Sequence, residues 1–212
     1  MVERVGKLLQ SEGRRPVEIG RLSRLGRRDA ILRVVARQKN RSLDLGRLAA
    51  GMPPGVTPAM GRFAAEAASV LFEHNGHITG VGMEVSERRT SSYAVTWPTL
   101  HTDAQRAHAD LPAAAEQGAY GIAFLLAEQF TEFKIIERSR KKTGFDYYLG
   151  SGDVYPFQHA ARMEVSGIVN DPARLPSRVN RKLIQTDRSA GALPAYVVVV
   201  EFSQPKSVFK KR

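Results

Sequence analysis

The chain contains no cysteine. That absence excludes disulfides, thiolate nucleophiles and zinc sites built on sulfur, and it fits a reducing compartment, so a cytoplasmic protein is expected. No apolar run reaches the length of about eighteen residues that a membrane span needs, and the first residues hold no apolar stretch of the kind a secretory signal carries. Neither export nor membrane contact is expected. Histidine is sparse: His74, His77, His101, His108 and His159 form no helical ligand pair, because Asn75-Gly76 separates the closest two and ends a helix. No Gly-x-Ser-x-Gly elbow is present, which removes the main signature of a serine hydrolase. No internal repeat is evident. Acidic residues are in deficit, 21 against 32 Lys and Arg, for a net charge of +11 over 212 residues.

What is present begins with the placement of that charge. Residues 1–60 hold thirteen Lys and Arg against five Asp and Glu, a net of +8 of the +11. Residues 1–55 therefore read as a basic arm, partly helical or disordered, with short helices expected around 16–24 and 28–38, and Gly51-Met52-Pro53-Pro54-Gly55 as a linker. A basic surface gains affinity for a polyanion by releasing counterions, so nucleic acid is the expected partner; the plainer reading is a solvated extension.

Residues 56–101 read as a helix plus a β-hairpin. Thr57 can cap a helix with Pro58 at its first position, Met60, Phe63, Ala64, Ala67, Val70 and Leu71 recur at helical spacing, and Asn75-Gly76 stops it. Val81, Met83 and Val85 then alternate on one arm and Tyr93, Val95 and Trp97 on the other, with Ser86 to Thr90 as the loop. Aromatic side chains at strand spacing read first as core, and second as a stacking platform for bases.

Residues 102–212 read as an α/β unit. Pro112 starts a helix buried along Ala115, Ala119, Ile122, Leu126 and Phe130, with Glu116 at the edge and Gly118 marking a close approach to a strand. Strands follow at Phe133 to Glu137, Thr143 to Gly150 and Ala161 to Gly167. A helix capped by Ser177 then carries Arg178, Arg181, Lys182, Gln185 and Arg188 on one stripe, and the uninterrupted apolar run Tyr196 to Val200 reads as a strand buried on both faces. The period of two puts Asp146 opposite Phe145, Tyr147 and Leu149, and puts Glu164 and Ser166 opposite Met163 and Val165. If the two strands pair, Asp146 and Glu164 converge on a site suited to a hard divalent cation.

This order of helix, strand, strand, strand, helix, strand, with Glu116, Asp146 and Glu164 in place, resembles the PD-(D/E)XK superfamily of restriction-endonuclease-like nucleases over roughly Pro112 to Phe202. The resemblance implies a restriction-endonuclease-like core, a mixed sheet flanked by helices. It also implies Mg²⁺ or Mn²⁺ held by Asp146, Glu164 and the carbonyl of Val165, with Glu116 assisting, and phosphodiester hydrolysis, by analogy in restriction or phage defence. The chain departs from the pattern at Ser166, where the family carries a lysine that orients the attacking water. Lys182 or Lys141 could supply that amine, and Ser166 could only hydrogen-bond the water. Arg140, Lys141, Lys142, Arg178 and Arg181 are the expected nucleic-acid contacts, with DNA the expected substrate and a homodimer or partner protein left open. The competing reading is a catalytically inactive nuclease-fold module that binds nucleic acid or a partner.

Overall fold

The computed structural model describes residues 41–151, 158–188 and 193–212. At its centre runs β7 (Ala195–Glu201), every residue of which is buried, as the apolar run of valines requires of a strand covered on both faces. Around it lie β1 (Ser42–Asp44), β2 (Val81–Ser86), β3 (Thr90–Thr96), β4 (Lys134–Arg138), β5 (Tyr147–Gly150), β6 (Ala161–Ile168) and β8 (Lys206–Lys211). The eight strands make one mixed sheet in the order β1-β3-β2-β8-β7-β6-β5-β4. β6 runs parallel to β7, whereas β8 and the β4-β5-β6 meander pair antiparallel. Five helices accompany it among the described residues: α1 (Gly46–Ala49), α2 (Pro58–His74), α3 (Ala104–Ala107), α4 (Leu111–Phe130) and α5 (Leu175–Arg188).

The period of two along β6 and β7 decides which helix each residue meets. Met163, Val165, Tyr196, Val198 and Val200 join the large core with α2 and α4, whereas Ile168, Val197 and Val199 pack against Val179 and Leu183 of α5. Glu164 and Ser166 share the parity of Ile168 and so face α5. The α/β class is therefore as the sequence implies, with helices on both faces of a mixed sheet.

Local signals behave as their chemistry predicts. Thr57 Oγ1 accepts the backbone N–H of Met60 at 3.3 Å with Pro58 at the first turn, and Asp110 does the same for Ala113 at 3.2 Å on α4. Asn75 closes α2 by donating its amide to the carbonyls of Leu71 and Val169. Gly118 does mark a close approach, but to the helix α2 instead of a strand: a β-carbon there would lie 2.8 Å from Ala68 Cα. The strand approach belongs to Gly167, where a β-carbon would stand 1.9 Å from the carbonyl oxygen of Ala115 on α4. Because both obstacles are backbone, Gly167→Ala is expected to cost about 1–3 kcal/mol through displacement of α4. A urea midpoint equal to that of wild type would show that the helix has room to move.

Three expectations change. Residues 42–49 belong to the sheet unit and not to a basic arm, because Leu43, Leu45 and Leu48 are fully buried. The expected helices at 16–24 and 28–38 lie outside the described residues. The hairpin is no separate accessory unit: β2 pairs with β8, a strand hidden in a lysine-rich C-terminal segment, and so extends the same sheet, while residues 41–212 form one compact unit. Tyr93 and Trp97 are core, as their first reading has it, since Trp97 stacks on Phe72 at 5.2 Å and gives its indole N–H to Glu73; the alternative of a platform for bases falls. The second core helix starts at Leu175, before Ser177, whose hydroxyl instead donates back to the Arg174 carbonyl. Among the described residues, no helix is long and apolar enough to cross a membrane.

Candidate functional site

The site exists because β5 is shorter than β6. β5 begins at Tyr147, opposite Met163, so β6 continues to Ile168 with β7 on one side and an open edge on the other. Asp146 stands at that step and just outside the strand that was expected to contain it. Its N–H still donates to Met163 at 2.9 Å, and its side chain extends the ladder by one rung, with Oδ2 accepting the Val165 N–H at 2.8 Å. The N–H and C=O of one strand residue leave on the same side, so the Val165 carbonyl also opens toward this edge. The register places Glu164 opposite Asp146, and Glu164 is 2% exposed.

A network of polar groups surrounds the pair. Tyr120 on α4 has a single proton to share, yet its hydroxyl lies 2.9 Å from Glu116 Oε1 and 3.1 Å from Asp146 Oδ1, so it can donate to only one carboxylate at a time. Burial first, then the nearby carboxylates, holds the Tyr120 hydroxyl far above the usual phenol range, which keeps it a donor. On the opposite face Lys182 Nζ donates to Glu164 Oε1, and Gln185 Nε2 reaches the same oxygen at 3.0 Å. Four residues earlier on α5, Arg178 donates to Ser166 Oγ at 2.9 Å, and its Nε is buried with no hydrogen-bond partner among the described residues. Burial, followed by Arg181 and Arg174, pulls this guanidinium below the usual arginine value.

Both carboxyls are pushed up chiefly by burial. For Glu164 the charge of Asp146 adds to that effect and Lys182 opposes it, and the result is about 7. Asp146 is raised as well, against the downward pull of the Val165 N–H, the Tyr120 hydroxyl and Lys182. Between its ordinary value of 4.5 and about 7, Glu164 binds more proton in the folded chain than in the unfolded one. Stability should therefore be full below that window and fall as pH rises through it. We expect wild type to lose on the order of 2 kcal/mol more than Glu164→Gln between pH 5 and pH 8. Urea titrations at the two pH values check this; equal losses would mean that Glu164 ionises as it does in water.

The sequence-derived residues thus divide. Glu116, Asp146, Val165, Ser166, Arg178 and Lys182 line one cavity of about 430 Å³, and Glu164 is buried behind that wall with its carboxylate held by Lys182. Arg178 was expected on nucleic acid and is instead half-buried against Ser166, because helical spacing turns Arg174, Arg178 and Lys182 to one stripe. Lys141 remains exposed on the loop and does not line the cavity, which leaves Lys182 as the amine at the carboxylates. Arg140 and Lys142 are exposed on the same loop, which is held by a 2.6 Å contact between the Ser139 and Thr143 hydroxyls. Arg181 faces a neighbouring groove.

Three contributors escaped the sequence reading. Tyr120 was legible only as Glu116 plus four on one helix, Gln185 as one polar residue among many, and Arg138, whose guanidinium lies 5.5 Å from the Tyr120 ring, as part of a basic run. Among the described residues no group of three or more His, Asp or Glu side chains is disposed to hold a metal ion. The carboxylates of Asp146 and Glu164 and the backbone carbonyl of Val165 are oxygen donors at hand, and Glu116 stands on the same cavity wall as Asp146. Comparison with protein-family models, curated proteins and solved structures finds no match to this chain.

Proposed function

We propose that the chain is a metal-dependent nuclease of the PD-(D/E)XK type that hydrolyses DNA phosphodiester bonds. The observation that carries this reading is the meeting of Asp146 and Glu164 at the open edge of β6, both pushed up in pKa, with Lys182 against Glu164. Support comes also from the element order, since α4, β4, β5, β6, α5 and β7 follow the helix, strand, strand, strand, helix, strand order that the resemblance implies. Hard oxygen donors suit Mg²⁺ or Mn²⁺, and two buried carboxylates that repel one another gain from a dication between them. Asp146, Glu164 and the Val165 carbonyl would hold it. Such an ion supplies a Lewis acid for the phosphate and lowers the pKa of a bound water.

The chain's own residues supply the rest. Lys182 would offset charge on the phosphate and orient the water. Arg178 holds a second positive charge four residues away, and Ser166 is limited to hydrogen bonding. Tyr120 would fix Asp146 from the other face, with Glu116 as the alternative acceptor of its proton. Purified chain should therefore cut plasmid or linear duplex DNA with Mg²⁺ or Mn²⁺ and leave it intact with EDTA.

A second reading rests on the same contacts. With Lys182 paired to Glu164 and Arg178 hydrogen-bonded to Ser166, both cations already have partners within the chain, as in a module that binds nucleic acid or a partner without chemistry. No cleavage of duplex or single strand with either metal, together with no metal heat in calorimetry, would establish that reading over the first.

A further inference from the structure

A second concavity lies beside the carboxylate cavity, a groove of about 790 Å³ between the loop at Lys142 to Gly144 and the neighbouring face of α5. Its α5 wall is made by Asn180, Arg181, Ile184 and Gln185, a run at helical spacing that gives it one continuous stripe. The composition is specific. Lys142 and Arg181 supply positive charge from opposite walls, Asn180 and Gln185 supply amides that both donate and accept, and Ile184 stands 55% exposed in the middle. A large aliphatic side chain held in water on an otherwise polar helix is an outlier that contact with a ligand would explain.

Gln185 joins this groove to the cavity. Its amide nitrogen reaches Glu164 Oε1 at 3.0 Å and the Gly144 carbonyl at 3.3 Å, while its carbonyl oxygen accepts from Lys182 at 3.3 Å. One side chain therefore touches the candidate metal ligand, the candidate amine and the basic loop at once. Anything seated in the groove lies one residue from the carboxylates.

We propose that this groove is the subsite for the nucleotide flanking the phosphate held at Asp146 and Glu164, and that it sets sequence preference. This rests on the DNA reading above. Lys142 and Arg181 hold the flanking phosphate, Ile184 packs on the sugar or base, and Asn180 reads a base edge, for which an amide presents the paired donor and acceptor that adenine matches. Base reading is thereby assigned to the outer face of α5 and charge compensation to its inner face, where Arg178 and Lys182 lie.

The absence of cysteine provides a direct test, because Ile184→Cys introduces the sole thiol of the chain. Ile78→Cys serves as the control: Ile78 is 81% exposed and precedes β2, which lies three strands from β6 in the sheet. Each variant is treated with a maleimide in metal-free buffer, with and without a DNA duplex at a concentration that saturates anisotropy. Modification at position 184 should slow about tenfold while position 78 is unaffected, as expected when about nine-tenths of the chains are occupied. Lys142→Ala combined with Arg181→Ala should reduce the slope of log affinity against log salt by about 2.

Equal reactivity at position 184 while DNA is bound would overturn the subsite and leave the nuclease reading intact. Protection of that thiol in a chain that never cuts would support the subsite and sink hydrolysis alone. A chain that binds no DNA under any salt condition would overturn both.

Discussion

Asp146→Asn and Glu164→Gln are each expected to reduce Mg²⁺-dependent DNA cleavage by about a thousandfold or more, with circular dichroism and gel filtration unchanged. The size of the effect follows from what each oxygen does. Asp146 Oδ2 is tied to the Val165 N–H, so one side chain sets both the carboxylate and the neighbouring carbonyl at the edge of β6. An amide keeps the shape but carries no charge, so it neither attracts a dication nor balances Lys182. Glu164→Gln retains an oxygen for the Lys182 ammonium and for Gln185, which should keep the fold while charge is lost. Isothermal titration with Mn²⁺ provides an independent readout: heat in wild type and none in either variant is expected. Metal binding that survives both substitutions would place the ion elsewhere.

Lys182→Ala is expected to lower cleavage by about a hundredfold while leaving metal-free DNA affinity within a small factor, because one charge among many contributes little to binding but acts where negative charge develops. Lys141→Ala should have no effect on the rate, since that side chain is exposed on the loop and away from the cavity. Ser166→Lys is expected to reduce activity. From the sequence, a lysine at this position would restore the missing family residue. In the structure the new ammonium would meet the Arg178 guanidinium, which already donates to Ser166 Oγ, and would be buried beside a like charge. Kinetics of the three variants on one duplex decide the matter. A gain with Ser166→Lys would show that Arg178 yields its place, and unchanged rates with Lys182→Ala would remove the amine from the mechanism.

Deletion of the N-terminal segment bears on the same electrostatics, and its boundary must respect the fold. Leu43, Leu45 and Leu48 are fully buried, so a truncation at residue 55 would remove part of the core. Truncation after Asn40 removes eleven of the thirteen basic residues of the first sixty and leaves β1 in place.

Much of the architecture was legible because it depends on short-range patterns. The alternation of apolar residues marked β2, β3 and β6, the unbroken apolar run marked β7, and the caps at Thr57 and Asn75 marked both ends of α2. β1 and β8 were missed for a common reason. One has only three residues, and the other carries four polar or charged residues among six, so neither has a periodic signal, and both are held by pairing with distant strands. That Asp146 and Glu164 share a face once their strands pair was readable from parity, since the period of two decides which residues share a face; the pairing itself is tertiary.

The sequence by itself determined the absence of sulfur chemistry, the concentration of positive charge in the first sixty residues, the α/β class and the parity of Glu164, Ser166 and Asp146. These follow from composition and from periods of two and 3.6, which act within a few residues. Only the tertiary structure decided which cation meets which acceptor. Arg178 and Lys182 are four apart on α5 and Ser166 and Glu164 two apart on β6, so either cation could have been assigned to either partner. The crossing of α5 over β6 placed Arg178 on Ser166 and Lys182 on Glu164. The same crossing made Gln185 a link between cavity and groove. It also left Arg178 Nε without a partner among the described residues, a consequence of helix packing against a strand that no local pattern encodes.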